Sequence, residues 1–185
     1  TTRRLPYTKV DTAVKCEDLE PELQQALHEK QVAIERICIG LTHRTNDGHS
    51  EFSLFAPTQR SRDKNECSIA VFAGSHGQGV LLTADLFGAC WSQLVEAGLP
   101  GRVTLLKMSH HGSRHAEPLR YLEWLKSTAV FVSAGRGNPY GFLHLQTMEA
   151  CDRQQVDVFR TDTQGMLQFS IVNDCWHGTT EKEDD

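Results

Sequence analysis

Apolar residues in the second half of the chain come in short bursts whose spacing switches between that of strands and that of helices. Val80 to Ala84, Val103 to Met108, Ala129 to Ser133, Val156 to Phe159 and Met166 to Val172 are compact apolar runs of strand length. Between them, Leu86 to Ala97 places Leu86, Cys90, Leu94 and Val95 on one side of a helix that Gly98 stops. Glu117 to Lys126 repeats the pattern through Leu119, Leu122, Trp124 and Leu125, with Pro118 near the first turn, where its missing N–H is no loss. Leu145 to Gln155 is a further helix, and Asp162-Thr163-Gln164-Gly165 is a turn between the last two strands. Alternation of this kind predicts an α/β fold, a sheet covered by helices.

The first eighty residues are less regular. Ser68 to Ala73 and Val80 to Ala84 flank the turn Gly74 to Gly79 and predict a hairpin. Phe52 to Ala56 is a short strand ended by Pro57. Asp18 to Lys30 reads as a helix with Leu19, Leu23 and Leu27 four apart, Asp18 at its N-cap and Pro21 in its first turn. Ala33 to Ile39 reads as a strand. Thr42 to Ser50 and Gln59 to Glu66 are polar and read as loops.

Composition narrows the class. With 39% hydrophobic and 23% charged residues over 185 positions, the chain can build a core of ordinary size. No apolar run approaches the ~20 residues of a membrane helix, and no signal-peptide pattern follows Thr1. The net charge is −5, and much of it sits in Glu181 to Asp185, so bulk charge announces no affinity for nucleic acid. The six cysteines form no C-x-x-C pair and read as buried thiols of a cytoplasmic protein.

Three strand ends carry chemistry. Leu81-Leu82-Thr83-Ala84-Asp85 delivers a carboxylate, which either caps the next helix or serves a metal. Leu105-Leu106-Lys107-Met108-Ser109-His110-His111-Gly112-Ser113 ends in adjacent imidazoles, either loop histidines or ligands, with His115 just beyond. Ser133-Ala134-Gly135-Arg136-Gly137-Asn138-Pro139-Tyr140-Gly141 is glycine-rich, either a connector or a phosphate cradle, and His144 follows it. His28, His43, His49, His76 and His177 stand in polar settings and read as surface residues.

At these residues the sequence resembles the metallo-β-lactamase (MBL) superfamily, and within it the MBL domains of ComEC-like proteins. The matching pieces are Asn65-Glu66-Cys67-Ser68-Ile69-Ala70-Val71, Val80 to Asp85, Leu106 to Ser113, Ser133 to Gly141 and Arg160 to Gly165, in the family's order. The resemblance implies an αββα sandwich with two divalent metal ions, zinc or manganese, at one edge. It implies Asp85 as the bridging carboxylate and His110 as a late ligand, with His111 as the alternative. Asn138, Tyr140 and His144 fall in the loop facing the substrate and are read as catalytic. Ser113, Arg136 and Asn65 are read as substrate-binding. The implied activity is a metal-dependent hydrolase, a nuclease or phosphodiesterase, with nucleic acid as substrate. A metal-free binding or structural module and a small-molecule esterase or lactonase are the alternatives.

Two departures shape the expectation. ComEC-like sequences carry His-Pro after the tyrosine and glycine, whereas this chain has Phe142-Leu143, with His144 two places later, and Ala84 replaces the glycine before the aspartate. The family's early His-x-His-x-Asp-His motif does not occur. The chain is therefore expected to be the C-terminal half of an MBL fold, active only with an N-terminal half that is a separate chain or the other product of a cleavage. The start at Thr1 rather than Met motivates the second possibility. Residues 1–50 are read as the segment joining from that half, 51–174 as the half-domain and 175–185 as an acidic tail.

Overall fold

A computed structural model describes residues 9–12, 21–29, 33–36, 41–44, 49–57, 68–99, 101–172 and 175–180. Its centre is a seven-stranded sheet in the order β3-β4-β5-β6-β7-β8-β9. These strands are β3 (Leu41–Arg44), β4 (Ser50–Phe55), β5 (Ala70–Ser75), β6 (Gln78–Leu82), β7 (Arg102–Lys107), β8 (Ala129–Val132) and β9 (Asp157–Arg160). Neighbours from β3 to β6 run antiparallel, and those from β6 to β9 run parallel. Two smaller sheets pair β1 (Lys9–Thr12) with β2 (Ala33–Arg36), and β10 (Leu167–Val172) with β11 (Cys175–Thr180). The fold is α/β, as the alternation predicts.

One face of the central sheet carries the core. Phe72, Leu81, Leu106 and Val130 stand in register across four strands, each at most 1% exposed. Helices α2 (Ala89–Ala97), α3 (Pro118–Leu125) and α4 (Leu145–Gln154) lay Trp91, Leu94, Tyr121, Leu122, Ala150 and Cys151 onto this row. Each large side chain buried there contributes roughly 1.5–3 kcal/mol of transfer free energy. Trp91 and Tyr121 stack at 4.4 Å, and burial pushes the Tyr121 phenol up from its ordinary value. On the opposite face Phe131 and Phe159 project from β8 and β9 against Phe169 of β10.

The parallel half explains where chemistry can gather. Each crossover helix returns the chain to the same edge, so β6, β7 and β8 all end side by side. Cys90 and Cys151 are buried thiols outside any disulfide, and burial pushes Cys151 up to about 11, so it stays protonated at neutral pH. Among the described residues no helix is long and apolar enough to cross a membrane.

Several details differ from the sequence reading. Residues 41–44, assigned to a loop from Thr42, form β3, held by its ladder to β4. The hairpin turn is only His76-Gly77, because β5 continues to Ser75 and β6 begins at Gln78. The helix expected from Leu86 begins at Ala89, and Thr161–Gln164 is a single helical turn. Residues 175–180, assigned to the acidic tail, pair with β10, so the boundary at 175 falls within a hairpin. The expected helix at 18–30 is described as α1 (Pro21–Glu29), where Leu27 is buried but Leu23 is half exposed. Asp18, Asn65, the loop at 59–66 and residues 181–185 lie outside the described residues.

Candidate functional site

The ends of β6 and β7 are locked together before any functional side chain is placed. The hydroxyl of buried Thr83 donates to the Lys107 carbonyl at 2.8 Å, and the His110 N–H donates to the Ala84 carbonyl at 3.0 Å. The Ser109 hydroxyl donates to the Leu86 carbonyl. Ala84, His110 and His111 all adopt the left-handed region, at φ 46, 48 and 55. Non-glycine residues held there store strain and cluster at functional sites.

This geometry aims Asp85 at His111. Oδ1 of Asp85 lies 3.7 Å from Nε2 of His111, both side chains being partly exposed. Nδ1 of His111 is 2.6 Å from the Ser133 carbonyl. A carbonyl only accepts, so Nδ1 carries the proton, and Nε2 is the nitrogen that faces the carboxylate. A hydrogen bond of this kind, made by the nitrogen away from the ion, orients a metal-binding imidazole. Asp85 is free for this role because α2 is capped by Gly88, not by the aspartate. Of the two adjacent histidines, His111 is the one that meets Asp85.

His110 behaves differently. Its ring lies between Phe87 and Phe142, at centroid distances of 6.4 and 6.0 Å, and its buried Nδ1 has no hydrogen-bond partner among the described residues. Buried polar atoms are normally satisfied, so this nitrogen calls for a ligand or water. Lys107 is half-buried beside these groups. Desolvation lowers its pKa, and the Asp85 charge partly offsets this.

The donor set fits part of a metal centre. Two ligands about 2.1 Å from a shared ion at a tetrahedral angle stand ~3.4 Å apart, close to the Asp85–His111 separation. Among the described residues no three His, Cys, Asp or Glu side chains converge, so these residues alone do not complete a closed site.

The glycine-rich loop is held by its own side chains. Asn138 Nδ2 donates to the Phe142 carbonyl at 2.7 Å, and the Phe142 N–H donates to Asn138 Oδ1 at 2.8 Å. His144 Nδ1 accepts the Arg114 N–H at 3.0 Å, which leaves Nε2–H to donate to the Tyr140 carbonyl at 3.1 Å. Both ring nitrogens of His144 are thereby engaged in shaping the loop, and Asn138 does the same work from the other side. Ser113 is buried and accepts the His115 N–H at 3.3 Å, so it caps a short turn and does not face solvent. Arg136 and Tyr140 are exposed, Tyr140 at 72%. His28, His49, His76 and His177 are exposed, in keeping with their reading as surface residues, and His43 lies outside the residues whose side chains are described.

The motifs had pointed to Asp85 and the histidine pair. They did not point to Phe142 or Lys107 as neighbours of the site. Phe142 stacks on His111 at 5.8 Å with 17° between planes, occupying the position where ComEC-like sequences carry histidine.

No protein-family model matches the chain. The chain is 26% identical over 158 residues to ComE operon protein 3 of Bacillus subtilis (strain 168), covering 85% of this chain and 20% of that protein. It is 27% identical over 126 residues to Recombination protein 2 of Haemophilus influenzae (strain ATCC 51907 / DSM 11121 / KW20 / Rd), covering 66% of this chain and 16% of that protein. The chain thus spans a fifth or less of the length of either relative. These likenesses support the ComEC-like resemblance at the level of distant homology.

Proposed function

We propose that this chain supplies the later half of a metal-dependent phosphodiesterase centre acting on nucleic acid. The observation that carries the reading is the pairing of Asp85 with an Nε2 of His111 whose tautomer is fixed from behind by Ser133. Asp85 and His111 would hold divalent ions, zinc or manganese. The ions would supply a water activated at neutral pH and neutralise charge on the phosphodiester. Lys107, Arg114 and Arg136 offset the substrate's negative charge in a chain whose net charge is −5. The remaining ligands come from a segment bearing a His-x-His-x-Asp-His motif, because the described residues bring no third ligand to the pair. Nucleic acid as substrate accords with the name of the relative Recombination protein 2.

The test is hydrolysis of DNA and of a small phosphodiester by the protein carrying this chain together with such a segment, with zinc or manganese added. Asp85→Ala is expected to lower both activities at least about 100-fold and to remove bound metal, since even outer-shell changes at metal sites cost 10–100-fold. Hydrolysis that survives Asp85→Ala overturns the reading. Phe142 on His111 favours a second reading, a metal-free binding module. Metal analysis separates the two: two equivalents of bound ion support the hydrolase, and none supports the module. Activity on small esters with none on DNA would move the substrate to an esterase or lactonase class.

A further inference from the structure

Tyr140, Phe142 and His111 form a series of near-parallel rings running from solvent to the candidate site. Tyr140 and Phe142 are 5.5 Å apart with 20° between planes, and Phe142 and His111 are 5.8 Å apart with 17°. The inner end of the series is the imidazole facing Asp85. The outer end is a phenol ring left 72% exposed. The ring is not on a loose loop. Asn138 clamps the Phe142 peptide from both sides, and His144 holds the Tyr140 carbonyl. A ring ordered in advance loses little entropy when a ligand covers it.

The surroundings define the ligand. The segments 108–116 and 133–148 contain no Asp or Glu, although the whole chain has 24 acids against 19 lysines and arginines. They carry Arg114 and Arg136, both exposed, together with His110, His111, His115 and His144. An exposed flat ring on a segment that carries arginine and no acid matches a base attached to a phosphate backbone.

We infer that Tyr140 is a stacking platform for an unpaired or extruded nucleobase of the strand delivered to Asp85 and His111. Inside a duplex both faces of each base are covered by neighbours, so away from the ends an unpaired or extruded base is what can lie on the ring. This deepens the proposed hydrolase reading and rests on it for the identity of the site.

The test is fluorescence anisotropy on the full chain with chelator present, using labelled oligothymidylate, an abasic oligomer of the same length and a blunt duplex. Wild type binds oligothymidylate more tightly than either control. Tyr140→Ala weakens oligothymidylate binding about ten-fold, in the range of base–aromatic stacking, and Tyr140→Trp holds or tightens it. All three proteins bind the abasic oligomer alike. Equal wild-type affinity for the base-bearing and abasic strands overturns the platform. So does an Ala variant that binds oligothymidylate like wild type, or a preference for the blunt duplex. The two readings fail separately. A protein without Asp85-dependent hydrolysis defeats the proposed function while anisotropy still decides the platform. Asp85-dependent hydrolysis with unchanged binding by Tyr140→Ala defeats the platform alone.

Discussion

The two ends of the parallel strands are closed in different ways. At their entry ends backbone meets backbone. Arg102 N–H donates to Gly77, Thr128 N–H to Thr104 and Asp157 N–H to Thr128, at 2.8 to 3.2 Å. At their exit ends side chains do most of the joining: Thr83 to Lys107, Ser109 to Leu86, His111 to Ser133, and Thr161 to Ala134. At the first edge the ladder is supplemented by the Thr104 and Thr128 hydroxyls, which donate to the Gly79 and Thr104 carbonyls. The second is held in left-handed turns that keep Asp85 and His111 facing each other. Polar side chains that would be ordinary loop residues elsewhere are structural here, and the groups they leave over are the ones available for chemistry.

The largest effect should come from Gly112, which sits at φ 79 against Leu143, where an added Cβ would lie 2.2 Å from Cδ1. Its carbonyl also accepts the buried Thr147 hydroxyl at 2.8 Å and the His144 N–H at 3.3 Å. Gly112→Ala should cost roughly 2–4 kcal/mol, combining left-handed strain with displacement of a buried side chain. At the other edge Thr128→Val removes the hydroxyl bond to Thr104 and should cost about 1 kcal/mol or less. Urea unfolding of the pair checks this. Equal losses would mean that the exit edge is no more tightly specified than the entry edge.

The next effect isolates the loop that completes the exit edge. Asn138→Ala removes both bonds to the Phe142 peptide and a weaker one to the Gly135 carbonyl at 3.4 Å. We expect a loss of about 1–3 kcal/mol and faster amide exchange at Phe142. Asn138→Asp keeps the acceptor for the Phe142 N–H, so its exchange at that amide should stay slower than in the Ala variant. Unchanged exchange in both variants would show that the ring series, not the asparagine, orders the loop.

Legibility in the sequence followed the same division. Val103 to Met108 and Ala129 to Ser133 announced their strands because both are mostly apolar: the first is buried from Val103 to Leu106, and the second alternates buried Val130 and Val132 with partly buried Ala129 and Phe131. Leu41–Arg44 did not, since its strand is an edge whose Thr-His-Arg content looks like a loop, and it is the ladder to β4 that makes it a strand. Asp85 and the histidine pair were visible because ligand-capable residues at consecutive strand ends are unusual. The choice between His110 and His111 was not visible: it depends on successive left-handed residues that turn one ring toward Asp85 and the other between Phe87 and Phe142. The role of His144 was equally hidden, because an imidazole bonded at both nitrogens reads in sequence like one poised to react.

The smallest effect runs in the stabilising direction. Ala84 stands where ComEC-like sequences carry glycine, at φ 46, with its carbonyl holding the His110 N–H. The left-handed region costs an alanine ~1–2 kcal/mol, whereas glycine enters it without steric penalty. Glycine also loses more freedom on folding, by ~0.4–1 kcal/mol relative to alanine. The difference leaves Ala84→Gly stabilising by up to about 1.5 kcal/mol, a small upward shift of the urea midpoint with an unchanged slope. Lys126 provides the matching case away from the site, left-handed at φ 49 at the end of α3. If Lys126→Gly gains as much as Ala84→Gly, the strain is an ordinary cost of turns. If only Lys126→Gly gains, the bonds around Ala84 require something of that turn beyond its backbone angle, and the exit edge owes its shape to the Asp85–His110 segment as a unit.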